Sequence, residues 1–224
     1  MSASAIAFEA ANSSIAPTRE VAIDKDPSVL RSINHPRTSM AVWERSHDLS
    51  VAGLGRQLRA LAAEQTPHGR FVARADEIGM MLEECYQQPA DSDEATQTRQ
   101  ALANDMTHLA EMFQGITKSK FLDVRIQLVR SDACRFWHRD SVDYRLLCTY
   151  YGPGTQWVNP ELGAEVLAER DSWSGPCHDM MAGDVSLFAG SCAMGKTGIV
   201  HRSPPIKAQG KTRLVLCINT RSDG

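Results

Sequence analysis

Three side chains, two neighbouring in sequence and one distant, have the types needed to hold one cation. His138 and Asp140 flank Arg139. On an extended backbone, residues two apart point to the same side, so this imidazole and this carboxylate can reach a common point. His201 lies downstream in a second strand-like stretch. If the fold brings it back, two histidines and a carboxylate occupy one face of a metal and leave other positions open. That is the donor set of non-haem Fe(II) sites.

A second set of donors sits nearby. Cys134 precedes His138 by four residues, and Cys177-His178 lies in a loop with Gly175 and Pro176. Sulfur and nitrogen ligands from these residues would favour zinc, with or without Asp140. The chain holds six cysteines but no Cys-x-x-Cys, which excludes zinc-ribbon and thioredoxin-like readings. Cys148 and Cys217 fall in strand patterns, where a free thiol is a small core residue.

Positioning His138, Asp140 and His201 requires a β scaffold, and the carboxyl-terminal half supplies one. Residues 121–129 alternate apolar and polar side chains, as a half-buried strand does. Further strands are expected at 144–151, 184–189, 198–201 and 212–219, separated by glycine and proline, with a short turn of helix at 161–170. Short strands so spaced predict an antiparallel jelly roll over residues 118–224. Before it, apolar residues at spacings of three and four predict helices over 40–65, 71–85 and from the acidic cluster Asp91–Glu94 to Gly115. Residues 39–117 therefore read as a helical segment packed on the barrel. Residues 1–38, rich in small residues and proline, read as a mobile leader. The class is α+β.

The run Gly183-Asp184-Val185-Ser186-Leu187-Phe188, then His201-Arg202-Ser203-Pro204-Pro205 and Gly210-Lys211-Thr212-Arg213, resembles the carboxyl half of a double-stranded β-helix (cupin-like) oxygenase. With His138 and Asp140 it resembles the 2-oxoglutarate/Fe(II)-dependent dioxygenases over roughly residues 120–220. More narrowly, Cys134-x3-His138-x-Asp140 followed by Arg145-Leu-Leu-Cys-Thr-Tyr-x-Gly-Pro-Gly-Thr-Gln-Trp157 is similar to a bacterial family whose domain is of unknown function.

The dioxygenase resemblance implies iron on His138, Asp140 and His201, with 2-oxoglutarate as cosubstrate. It also implies that Arg213 grips the far carboxylate of that cosubstrate, a role suited to a planar guanidinium. The family often has Ser or Thr two residues after this arginine, where this chain has Val215. Arg145 and Thr149, on one face of their strand, are the competing anchor. Cys134 is then a packing residue beside the metal.

Composition sets the outer bounds. A net charge of −3, with 42% hydrophobic and 23% charged residues, is that of an ordinary globular chain without a nucleic-acid footprint. No apolar run is long enough to span a bilayer. Six cysteines without a secretory signal suggest the reducing cytoplasm. A Gly-x-Ser-x-Gly elbow is missing, and Gly152-Pro153-Gly154-Thr155 lacks the lysine of a phosphate loop, so it reads as a tight turn. The expected activity is hydroxylation or demethylation of a small molecule or protein. The alternative is a zinc-binding protein of metal homeostasis that performs no oxidation, with an interaction module on a degenerate barrel behind it.

Overall fold

The computed structural model describes residues 20–195 and 198–221. Its strands are β1 (Glu20–Asp24), β2 (Thr38–Trp43), β3 (Gly69–Ala73), β4 (Leu122–Val129), β5 (Tyr144–Tyr151), β6 (Gln156–Trp157), β7 (His178–Asp179), β8 (Val185–Ala189), β9 (His201–Arg202) and β10 (Arg213–Thr220). Seven form a major sheet in the order β1-β2-β8-β5-β10-β4-β3, and three form a minor sheet in the order β7-β6-β9. The β1–β2 pair is parallel and the others are antiparallel. A bridge between His138 and His201 extends the minor sheet.

Side-chain alternation decides how the layers stack. Leu122, Val124 and Ile126 of β4, Leu146, Cys148 and Tyr150 of β5, and Leu214, Leu216 and Ile218 of β10 all join one core. Against them pack Leu54 and Leu58 of α1 (Leu49–Ala60), Ile78 and Leu82 of α2 (Ile78–Glu83), and Leu102, Met106, Leu109 and Phe113 of α3 (Asp93–Thr117). Fully burying each large side chain contributes about 1.5–3 kcal/mol. The opposite face of the major sheet meets the minor sheet, where Met40, Val42 and Phe188 pack on Trp157, Met180 and Ile199. A short helix, α4 (Gly163–Glu169), covers the outside of the minor sheet through Val166, which packs with Trp137, Val158 and Val200. The architecture is a double-stranded β-helix supported by amino-terminal helices.

The third expected helix is α3. Its first turn is capped by Ser92 Oγ, which accepts from Ala95 N at 3.1 Å, and it ends where Lys118 turns left-handed at φ 61°. The first two helices are shorter than expected, because the sheet takes part of each span. Residues 38–43 form β2, buried along nearly its whole length, so no alternation marks it. Phe71 belongs to β3, whereas Ile78 and Leu82 belong to α2. Residues 20–38, expected within a mobile leader, form β1 and a 3-10 helix at Pro27–Asn34 that buries Leu30 and Ile33. The rest of that leader, 1–19, lies outside the described residues. The helical and barrel segments therefore interleave in one sheet.

A buried ion pair ties α3 to the sheet. Arg45 donates through Nη1 and Nη2 to Asp105 Oδ1 and Oδ2 at 2.6 and 2.9 Å, and Tyr150 Oη donates to Asp105 Oδ2 at 2.8 Å. Asp184, in the Gly-Asp run of the resemblance, is structural. Its Oδ1 accepts from Arg45 N and Ser46 N, and its Oδ2 from Met181 N. Removing one charge of a buried pair leaves the other uncompensated, at about 3–5 kcal/mol. Asp105→Asn is accordingly expected to lower stability by about that amount in urea unfolding.

Candidate metal centre

His138 and His201 enter the site through mutual backbone hydrogen bonds, each N–H donating to the other's carbonyl at 3.1 Å. Their ring centroids are 4.6 Å apart. Phe188, reaching across from β8, packs on the His201 ring, also at 4.6 Å. Asp140 closes the group, and candidate donor atoms of the three residues lie within 4.8 Å of one another. Among the described residues no other cluster of histidine, cysteine, aspartate or glutamate has metal-ligand geometry.

The donors are arranged as a metal requires. His138 Nδ1 sits 2.8 Å from the Phe136 carbonyl. A proton there leaves the Nε2 lone pair facing Asp140, as in histidine ligands oriented by a backbone carbonyl. His138 Nε2 is 3.5 Å from Asp140 Oδ1, and His201 Nε2 is 3.1 Å from Oδ2. The second approach is a close charge contact without hydrogen-bond alignment, so buried Oδ2 has no hydrogen-bond partner. An orphaned carboxylate oxygen beside two imidazole nitrogens fits a divalent cation.

Electrostatics keep the carboxylate charged. Burial alone would raise the Asp140 pKa, but the His138 and His201 imidazoles and the Arg145 guanidinium hold it far below the usual carboxylate range. For His138, burial is outweighed by the Asp140 carboxylate and the Phe136 carbonyl, and its pKa is raised. For His201 burial wins and the pKa is lowered. Carboxylate and imidazoles are thus coupled, and a cation binding there would compete with protons.

Arg145 Nη1 contacts Asp140 Oδ1 at 2.5 Å, and its Nε donates to Asn219 Oδ1 at 2.6 Å. Asn219 Nδ2 donates to Asp123 Oδ2 at 3.2 Å, and Arg70 clasps Asp123 at 2.7 and 2.8 Å. A polar chain thus runs from the edge strand β3 to the Asp140 carboxylate. Arg213 stands apart from it, 1% exposed, with Nη2 donating to Thr149 Oγ1 at 3.2 Å and Thr155 Oγ1 at 3.1 Å. Its Nε and Nη1 have no partner, and burial lowers its pKa to about 10. Arg213, Arg145, His138, His201, Thr155 and Val215 all border one cavity of about 190 Å³.

Thr149 thus joins Arg213, not Arg145. Tyr151, two residues beyond Thr149 on β5, enters the helix-side core, where the β5–β10 register shifts between Leu214 and Val215. The alternative donors lie outside the group. Cys134 is exposed at φ 59° on the cavity wall, and its carbonyl accepts from Ser203 N at 2.9 Å. Cys177 packs beside Trp137 and Val166. His178 stacks on Trp157 at 4.2 Å and pairs with Asn159. Thr155, Asn219 and Asp123 are not among the residues that sequence reasoning singles out. Asn219 follows Arg213 at period two and so shares its face, but Thr155 sits in a turn where no periodicity applies.

Fold and site together define a double-stranded β-helix protein whose His138, Asp140 and His201 fit a facial triad of metal donors. Residues 24–219 match a family model, and the chain belongs to the family described as Protein of unknown function (DUF1826). No curated protein matches the sequence. Among solved structures, the chain is similar to a full-length Neurospora crassa protein in complex with alpha-KG, at 14% identity and TM-score 0.44, covering 90% of this chain and 84% of that one. It is also similar to the rice dioxygenase for auxin oxidation, at 11% identity and TM-score 0.47, covering 81% and 73%. A Pseudomonas putida prolyl-4-hydroxylase gives 18% identity and TM-score 0.33, covering 76% and 95%. The fold assignment itself stands on strand order and register. No helix among the described residues is long and apolar enough to cross a membrane.

The Arg70 guanidinium beside Asp123 holds its carboxyl below the usual range. A depressed folded pKa contributes stability above the unfolded value, about 3.9, and that contribution is lost as pH falls through the folded pKa. In metal-free protein, Asp123→Asn should be less stable than the parent at pH 7. The gap between them, read from urea midpoints, should narrow below about pH 4.

Proposed function

We propose that this chain is a metal-dependent oxygenase of the 2-oxoglutarate/Fe(II) type, hydroxylating or demethylating a small-molecule or protein substrate. The reading is carried by two unmet demands at one cavity, which His138, His201 and Arg213 line and Asp140 backs through its contacts with the two histidines. His138, Asp140 and His201 present converging donors with an orphaned carboxylate oxygen, and Arg213 presents a buried cation with two unpartnered nitrogens.

Each side chain has a definable task. His138 and His201 hold iron through Nε2, and Asp140 holds it through Oδ2, because Arg145 occupies the side of Oδ1. Bound iron with 2-oxoglutarate supplies the oxidation of substrate by dioxygen. Arg213 offers the far carboxylate of 2-oxoglutarate its charge and the free N–H groups of Nη1, a charge-assisted pairing, while Thr149 and Thr155 fix Nη2. Those two hydroxyls steady the guanidinium in place of the one missing at Val215. Val215 gives the cavity an apolar wall beside the cosubstrate.

Anaerobic Fe(II) and 2-oxoglutarate should give a visible charge-transfer band with metal-free protein, and admitting oxygen should yield succinate. His138→Ala is expected to abolish both, whereas Cys134→Ser retains both. Arg213→Gln should weaken 2-oxoglutarate binding about 10- to 100-fold, the loss of charge-assisted hydrogen bonds, and leave Fe(II) binding near the parent's. A parent that gives neither band nor succinate, and that holds stoichiometric zinc when purified without added metal, would overturn the reading.

A further inference from the structure

We infer that the molecule oxidised at this site carries an anionic group, a carboxylate or a phosphate, and that Arg125 receives it. This substrate class rests on the oxygenase reading above.

Register places Arg125 in the same chamber as the cosubstrate arginine. Arg213 of β10 lies opposite Val129 of β4, and Cys217 lies opposite Arg125. Arg125 is therefore on the Arg213 face, four residues along β4, or roughly 13 Å away. Both arginines line the cavity that also contains His138 and His201. Four guanidiniums border this space, and three have assigned partners. Arg145 holds Asp140 and Asn219. Arg202 donates to Gln156 Oε1 at 2.8 Å and lies over the Trp137 ring. Arg213 is held by two threonines and faces the 2-oxoglutarate position.

Arg125 is exposed and, among the described residues, has neither a hydrogen bond nor an ion pair. Its nearest source of negative charge is Asp123, two residues along the strand, but Arg70 engages both carboxylate oxygens and Asn219 shares one. Arg70 also stands directly across from Arg125 in the β3–β4 pair. Like charges in that relation repel, and here one carboxylate serves two guanidiniums. Placing a divalent cation at Asp140 adds positive charge to the same chamber. A substrate anion seated on Arg125 relieves the cross-strand repulsion and supplies the missing partner through the planar fork. Such an anion would orient the remainder of the substrate along the face that leads to His138 and His201.

The test separates this site from the cosubstrate site. Full-length protein loaded with Zn(II) as a redox-silent stand-in, and saturated with 2-oxoglutarate, is titrated by NMR with acetate and, separately, with inorganic phosphate. The parent is expected to bind one of the two anions more tightly, which identifies the group. R125Q should weaken that binding at least about ten-fold and R125K should restore most of it, with 2-oxoglutarate affinity unchanged in both. R213Q should show the reverse pattern, losing 2-oxoglutarate and keeping the second anion. Parent-like titration of R125Q with both anions, or no response of the 2-oxoglutarate-loaded parent to either, overturns the Arg125 site while leaving the oxygenase reading intact. A parent that neither binds 2-oxoglutarate nor forms succinate with iron overturns that reading, and the substrate assignment falls with it.

Discussion

The two-residue period of β4, β5 and β10 is the constraint on which the molecule turns. One set of positions in these strands is leucine, isoleucine, valine, cysteine and tyrosine, and it packs against the three helices. The set between them carries Arg125, Arg145, Arg213, Asp123 and Asn219, and it faces the minor sheet. A register slip of one residue would send guanidiniums into the helix interface and isoleucines into the cavity. Folding the core and assembling the chemistry are thus one event, specified by the same pattern.

A cavity lined with arginines is unfavourable until its charges are matched, and the structure matches them in a graded way. Arg70, Asp123, Asn219, Arg145 and Asp140 form a continuous chain in which each charged group has a partner. At its inner end, the two imidazoles and then Arg145 hold the Asp140 carboxyl far below the usual range, and Arg145 occupies Oδ1, so the carboxylate offers a metal the other oxygen. A cation at the site then meets a carboxylate oxygen that no hydrogen bond already satisfies. Arg213 and Arg125 lie off the chain, and these are the two positions where the chemistry still calls for anions.

Sequence patterns exposed the parts of this arrangement governed by local periodicity. His138 and Asp140 stand out because a spacing of two on a strand has one geometric meaning, and β4, β5 and β10 stand out because one face is dry. The strands β2 and β3 were hidden for opposite reasons. The first is covered on both faces and lacks alternation, and the second is brief, with Phe71 and the following α2 residues together mimicking a helical stripe. Two-residue strands such as β6 and β7 carry no period at all. Partnerships such as Arg145 with Asn219, or Arg213 with Thr155, depend on register between strands and on a turn, information that no single segment contains.

That turn shows how far the coupling reaches. Gly152 adopts φ 87°, and a Cβ there would run into the Thr212 carbonyl and the Arg213 backbone; one at Gly154 would meet the Met180 carbonyl. Glycine at both positions lets the chain cross from the major to the minor sheet while pressed against the start of β10. The crossing delivers Thr155 to within 3.1 Å of the Arg213 guanidinium. The Gly-Pro-Gly-Thr run, which lacks the features of a phosphate loop, therefore acts on ligand binding through packing. Its glycines allow the approach, and the threonine at its end holds the arginine that the proposed cosubstrate needs.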